Sequence, residues 1–461
     1  MTTDTARLLW AVIACLLWAG LAGLIIWRHK RLERQVALKA KAMAGDANED
    51  AIMVAYASQT GFAEELAWMT ARALTEGGKG ARILSFADLD QASLKAAKQV
   101  LIIASTTGEG DAPDSAGRFV RQMLPADIDL SHLSYGLLAL GDRSYEEYCR
   151  FGHAIGDWLE ANGASPMFDR VEVDNGETGA IRHWQHQLNQ ISGATDAPDW
   201  TPPAYEDWRL VERHLLNENS PGGEAWHVVL EPVGHSPQWQ AGDIAEIGLP
   251  VVEGQGQISR EYSVASLSSE GRAEFCIRLM TGPDGRLGLG SGWLTKTAEV
   301  GDAIPMRLRT NRSFHAPPAD APMILIGNGT GIAGLRAHIK ARAEARAKVG
   351  ATGGTWLMFG ERTLAHDAFY DAELQGWLAD GSLTRLDRCF SRDGGEPRYV
   401  QGLVSQQARL LSEWVERGAY IYVCGSLEGM SKGLHAALET VLSEHMVLSL
   451  SDAGRYRRDV Y

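Results

Sequence analysis

AIMVAYASQTGFAEELAWMTARAL (51–74) is the stretch on which the reading of the fold turns. AIMVAYAS (51–58) is an apolar run of strand length, a turn of small residues follows, and a helix pattern continues through Leu74. VLIIAST (100–106) and YGLLALG (135–141) repeat the design, an apolar strand leading into a loop with glycine. Strands alternating with helices imply a parallel, doubly wound sheet, and such sheets bind ligands at the carboxyl ends of their strands. Three loops lie at those ends. The first, Ser58, Gln59, Thr60, Gly61, Phe62 and Ala63, precedes a helix, where hydroxyls and backbone N–H groups suit a phosphate. One such turn is more often a simple helix cap. Here Ser105, Thr106, Thr107, Gly108, Glu109 and Gly110 follow one later strand, and Leu140, Gly141, Asp142, Ser144 and Tyr145 another, so three loops meet on one sheet edge.

Farther along, DAPDWTPPAY (196–205) breaks the pattern and reads as a linker. HVVLEPV (227–233), AEIGL (245–249), REYSVAS (260–266) and AEFCIRLM (273–280) are short segments between turns, the mark of an antiparallel barrel. MILIGNGTG (323–331), TWLMFGER (355–362), LTRLDRCF (383–390) and AYIYVCGS (419–426) restore the alternation of strand and helix. Gly327 to Gly331 follow a strand and open a helix, as a dinucleotide loop requires. The expected divisions are 1–50, 51–193, a linker at 194–205, a barrel at 206–320 and a second parallel-sheet domain at 321–461.

A formal charge of −14 and a pI near 5.4 argue against nucleic acid as a partner, because phosphate backbones need clustered Lys and Arg. The five cysteines, Cys15, Cys149, Cys276, Cys389 and Cys424, form no CxxC pair, so neither a disulfide framework nor a Cys-ligated cluster is expected. LLWAVIACLLWAGLAGLIIW (8–27) has the length and apolarity of a transmembrane helix. Arg28, Lys30, Arg31 and Arg34 follow it, which predicts a single pass through an inner or plasma membrane with the rest of the chain in the cytoplasm. A cleaved signal peptide is the alternative, disfavoured by the length of the run. Residues 32–50 read as a stalk.

The three loops, in order and spacing, resemble those of the FMN half of the diflavin reductases, which include the NADPH-cytochrome reductases and the sulfite reductase flavoproteins. The resemblance implies that Ser58 to Ala63 hold the FMN phosphate. It also implies that 105–110 and 141–149, with Ser144, Tyr148 and Cys149, flank the isoalloxazine, with Leu140 also in contact with the cofactor, that Tyr145 stacks on it, and that Asp174 lies beside it. Thr107 stands where some members have an aromatic residue. Arg260-Glu261-Tyr262-Ser263 resembles the RxYS motif of ferredoxin-reductase-like domains, implying Arg260 on the FAD pyrophosphate, Tyr262 along the flavin and Ser263 near its N5. Gly288, Gly290, Ser291, Gly292 and Trp293 supply the facing turn. Gly329, Thr330 and Gly331 are the implied nucleotide loop, and Arg362, Ser391, Arg392, Arg398, Tyr399 and Gln401 resemble a clamp for NADPH, with Pro397 where relatives often have Lys. Cys424 in YVCG and the terminal RRDVY imply a catalytic set of Ser263, Cys424 and Asp459, with Tyr461 covering the FAD.

The implied architecture is a multidomain α/β protein. It comprises an N-terminal transmembrane helix, a flavodoxin-like FMN domain, an antiparallel FAD barrel and an α/β NADP-binding domain. Larger family members insert a connecting domain in the barrel module, and the segment between Asp243 and Arg260 is too short for one. The implied activity is that of a membrane-anchored, NADPH-dependent reductase. Electrons run from NADPH through FAD and FMN to a separate acceptor, expected to be a membrane-associated haem or other metal redox protein. A sulfite reductase flavoprotein subunit is the alternative within the enzymes, and a non-catalytic flavin-binding scaffold or redox sensor the alternative outside them.

Overall fold

The computed structural model describes residues 51–143, 145–193, 200, 204–250, 258–282, 284–350 and 353–461. Six parallel strands form the first sheet: β1 (Ile52–Ala57), β2 (Ala81–Ser85), β3 (Gln99–Ser105), β4 (Ser134–Gly141), β5 (Ser165–Pro166) and β6 (Val171–Asp174). Their order is β2-β1-β3-β4, with the next position shared by β5 and β6, which pair with opposite ends of β4. Helices cover both faces, so β1, β3 and β4 are buried almost throughout and their sequences are continuous apolar runs. One face is sealed by helices Phe62–Glu76 and Thr178–Ser192, where Trp184 is fully buried and its indole N–H donates to Thr70 Oγ1 at 3.0 Å. Chain direction across the sheet reverses between β1 and β3, which opens a crevice at their carboxyl ends.

An antiparallel sheet follows, with β7 (Glu206–Leu215), β8 (Ala225–Pro232), β9 (Ile244–Gly248), β10 (Ser259–Ser263), β11 (Ala273–Arg278) and β12 (Ala303–Arg309) in the order β10-β9-β12-β7-β8-β11. A hydrogen bond from Ala265 N to Glu274 O, 2.7 Å, joins the two ends into a barrel. The third sheet is parallel: β13 (Met323–Asn328), β14 (Thr355–Glu361), β15 (Arg385–Phe390), β16 (Tyr420–Gly425) and β17 (Tyr456–Val460), ordered β15-β14-β13-β16-β17. The C-terminal RRDVY is therefore not a loose tail, since all but its last residue lie in an edge strand whose Asp459 is in register with Cys424.

One expectation is corrected. Among the described residues no helix is long and apolar enough to cross a membrane. The run 8–27 on which single-pass placement in an inner or plasma membrane rested lies outside them.

Barrel and third sheet are joined through a buried arginine. Arg336, 4% exposed, projects from helix Ile332–Val349, ion-pairs with Glu274 of β11, donates to Ala265 O at 3.1 Å, and holds Glu373 with Nε and Nη2 at 2.8 and 2.7 Å. Burial opposes ionisation of Glu274, but Arg336 and Lys340 outweigh it and hold the carboxyl below its ordinary range. A carboxylate with a lowered folded pKa contributes stability above its unfolded pKa and loses it as the pH falls through the folded value. Arg336→Ala leaves that buried carboxylate with Lys340 alone, at 3.2 Å, and should destabilise the barrel and third module by about 3 kcal/mol, read as a lower urea midpoint. Glu274→Gln should be less stable at neutral pH yet show a shallower loss on acidification below about pH 4; an unchanged acid limb would count against the pair.

Candidate flavin and nucleotide sites

The crevice at the carboxyl ends of β1, β3 and β4 opens into a cavity of about 390 Å³. Its wall includes Gln59, Thr60 and Phe62 from the first loop, Ser105 to Gly108 from the second, and Leu140, Gly141, Asp142, Tyr145, Tyr148 and Cys149 from the third. Ser58, Gly61 and Ala63 stand behind that wall, where Ser58 Oγ accepts from Gly61 N at 2.9 Å and shapes the turn. Asp174 is displaced from the expected place. It accepts from Arg143 N at 3.0 Å, and Asn175 and Gly176 line the cavity instead. Glu109 and Gly110 do not line it, and Ser144 lies outside the described residues. The site fits FMN on an independent observation: Thr106 Oγ1 in the wall is buried and has no hydrogen-bond partner among the described residues, a state that a polar ligand relieves.

The far wall is made by other modules, through Glu246, Ser259, Glu261, Arg307, Arg309, Leu427, Val460 and Tyr461. None of the first six was read from the sequence as part of a site. Arg307 and Arg309 carried a signal, two arginines at alternate positions of an otherwise apolar strand, and hence on one face.

On the opposite face of β10, Arg260 and Tyr262 meet the glycine turn. A Cβ on Gly290 would lie 2.7 Å from Tyr262 Oη and 2.8 Å from Arg260 Cγ, so only glycine permits this approach. Ser291 Oγ accepts from Met280 N at 3.1 Å and pins the turn to the strand that precedes it. The Arg260 guanidinium donates to Ser259 O at 2.8 Å and is otherwise turned to solvent, which suits the FAD pyrophosphate.

Beyond Tyr262 the chain brings Ser263, Cys424 and Asp459 together. Ser263 Oγ donates to Asp459 Oδ2 at 2.7 Å, and Cys424 Sγ lies 3.7 Å from the same oxygen. Burial pushes the Asp459 carboxyl above its ordinary range, although Ser263 and Cys424 pull the other way. Burial likewise holds the Cys424 thiol well above its usual value, so it is a neutral thiol rather than a thiolate. Gly331 and Gly327 let the nucleotide loop close over this group, since a Cβ on either would fall 2.1 or 2.5 Å from Cys424 O. Tyr461 Oη lies 3.3 Å from Thr330 Oγ1, and the residue lines the same cavity.

Ser391 and Arg392 extend β15 past its end, where their amides donate to Glu361 O and Arg362 O, both at 2.8 Å. This brings Arg362 and Arg392 to one sheet edge. Tyr399, 57% exposed, caps the helix Val400–Gln406 that carries Gln401. Arg398, expected to replace the missing Lys, is paired with Glu396 at 3.3 Å.

Two sheets with phosphate loops at their carboxyl ends, on either side of an antiparallel barrel, define a flavoprotein oxidoreductase. A flavodoxin family model matches residues 54–184, and an oxidoreductase NAD-binding domain model matches 325–436. The chain is similar to the sulfite reductase [NADPH] flavoprotein alpha-components of Vibrio vulnificus (27% identical), Vibrio cholerae (28%) and Bacillus subtilis (25%). In these three comparisons 89% of this chain is covered, against 87%, 87% and 89% of the relatives. These matches support a member of the diflavin reductase family, with FMN, FAD and NADPH as its cofactors. Its alignment with the Vibrio vulnificus relative runs over 546 positions, more than the 461 residues of this chain, as a compact form that lacks an insert requires.

Proposed function

We propose that this NADPH-dependent reductase is the flavoprotein component of a sulfite-reducing system and delivers electrons to a separate acceptor protein. The relatives' names support that reading over a membrane haem partner. The observation that carries it is the contact of Ser263 with Asp459, which joins barrel and C-terminal strand beside Cys424. When bound, NADPH supplies a hydride to FAD, and FMN releases electrons singly. The chain's part is to hold Ser263 and Cys424 at the flavin edge and to keep a carboxylate, Asp459, where positive charge grows on the nicotinamide. Tyr461 would shield the FAD when it is bound and would move aside for the nicotinamide. Arg392, with Ser391, Tyr399 and Gln401, grips the 2′-phosphate, and Arg362 is the second cation of that clamp. An intact donor, thiol and acid set argues against a non-catalytic scaffold.

The purified protein should oxidise NADPH with ferricyanide alone, and should form sulfide from sulfite only after a separate sulfite-reducing component is added. NADPH oxidation without sulfide in that mixture would refute the acceptor. Because the ionised form of Asp459 does the work and its pKa is raised, flavin reduction should slow as the pH falls through that raised value. Asp459→Asn should reduce the rate on the order of a hundredfold in stopped-flow experiments, remove the acid limb and leave the NADPH KM nearly unchanged. An acid limb that survives would assign it elsewhere. Arg392→Ala should raise the KM for NADPH about tenfold to a hundredfold while NADH is unaffected; equal losses with both would misplace the clamp.

A further inference from the structure

We infer that the FMN phosphate site is completed across the module boundary: Arg309 of barrel strand β12 is the positioning residue that sets Thr60 for the phosphate, so FMN affinity and module docking form one linked equilibrium. The inference rests on the reading of 58–63 as the FMN phosphate loop.

By itself that loop is poorly equipped for a dianion. Its side-chain hydroxyls are those of Ser58 and Thr60, and Ser58 is buried in shaping the turn. No Lys or Arg occurs between Ala51 and Ala71, and the first turn of the following helix carries Glu64 and Glu65. The helix dipole favours an anion there, yet two carboxylates within one turn oppose it.

The barrel corrects each deficit. Arg307 Nη1 holds both carboxylate oxygens of Glu65 at 3.0 and 3.1 Å, and Arg312 pairs with Glu64. Arg309, 5% exposed, donates from Nε to Thr60 O at 3.0 Å and from Nη2 to Thr60 Oγ1 at 3.1 Å. A threonine hydroxyl that accepts from a guanidinium keeps its own proton to donate, and Thr60 lines the cavity. Glu246 and Glu261, at 3.1 and 2.5 Å, fix Arg309 from the barrel side. Loop and strand meet without an intervening side chain. Gly61 has φ +89°, and a Cβ there would fall 2.4 Å from Thr310 O. A ligand that engages Thr60 therefore also favours the docked arrangement, and docking favours the ligand by the same factor.

The test uses the whole chain with FAD retained and FMN removed, titrated with FMN or with riboflavin, which lacks the phosphate, by flavin fluorescence. Wild type should prefer FMN. Arg309→Gln should weaken FMN about tenfold, the scale of a charge-assisted hydrogen bond, and leave riboflavin unchanged, while Arg309→Lys recovers part of the loss. Equal losses for both ligands, or none, would overturn the inference. A wild type with no preference for FMN would overturn it earlier, at the phosphate loop itself. Should Arg309→Gln lose FAD and thus the barrel, wild-type small-angle scattering decides. FMN should compact the chain more than riboflavin does, with added salt reversing it, and equal compaction by the two flavins would refute the linkage.

Discussion

The C-terminal strand β17 touches all three modules, and the geometry of the reaction site depends on it. Parallel pairing with β16 sets Asp459 opposite Cys424, and strand alternation then sends Arg458 the other way. Arg458 Nε meets Asp114 of the flavodoxin-like module at 3.0 Å, Asp459 meets Ser263 of the barrel, and Tyr461 meets Thr330 of the nucleotide loop. A slip of one residue would exchange the two faces and put an arginine where the carboxylate belongs. Further fastenings oppose it: Arg457 donates to His315 O at 2.7 Å, and Tyr461 N to Gly425 O at 3.1 Å.

Arginines join the modules. Arg336 ties barrel to nucleotide sheet, Arg307, Arg309 and Arg312 tie barrel to flavodoxin-like module, and Arg458 ties the C-terminal strand to that same module. The first is nearly fully buried and its loss leaves Glu274 with Lys340 alone, so it serves as a permanent joint. Arg312, with a side chain 60% exposed, is screened by salt and holds weakly.

Local pattern made the sheets and their loops legible, because each phosphate loop follows directly on the strand that presents it. Ser263, Cys424 and Asp459 were legible only through family motifs, since no local rule joins residues so far apart. Strands β7 and β12 escaped notice for physical reasons. β7 exposes half of its residues and buries only Trp208 and Leu210, and β12 contains Pro305, which ordinarily marks an edge. Glu246, Glu261, Arg307 and Arg309 belong to the cavity only because two modules meet there. Asp174 illustrates the converse, a residue placed by analogy whose carboxylate is taken by Arg143 N, leaving Asn175 and Gly176 at the wall. The run 8–27 was read on its apolar length and basic flank, and nothing among the described residues supports the membrane placement drawn from it.

Two flavins on one chain, both reached by electrons from NADPH, is the claim on which everything above depends. Anaerobic mixing of the purified protein with NADPH, followed by flavin extraction from the same sample, tests it most directly. The account predicts bleaching of the entire flavin absorbance and equimolar FMN and FAD in the extract. A single flavin type, or a fraction of the absorbance that NADPH never bleaches, would contradict it.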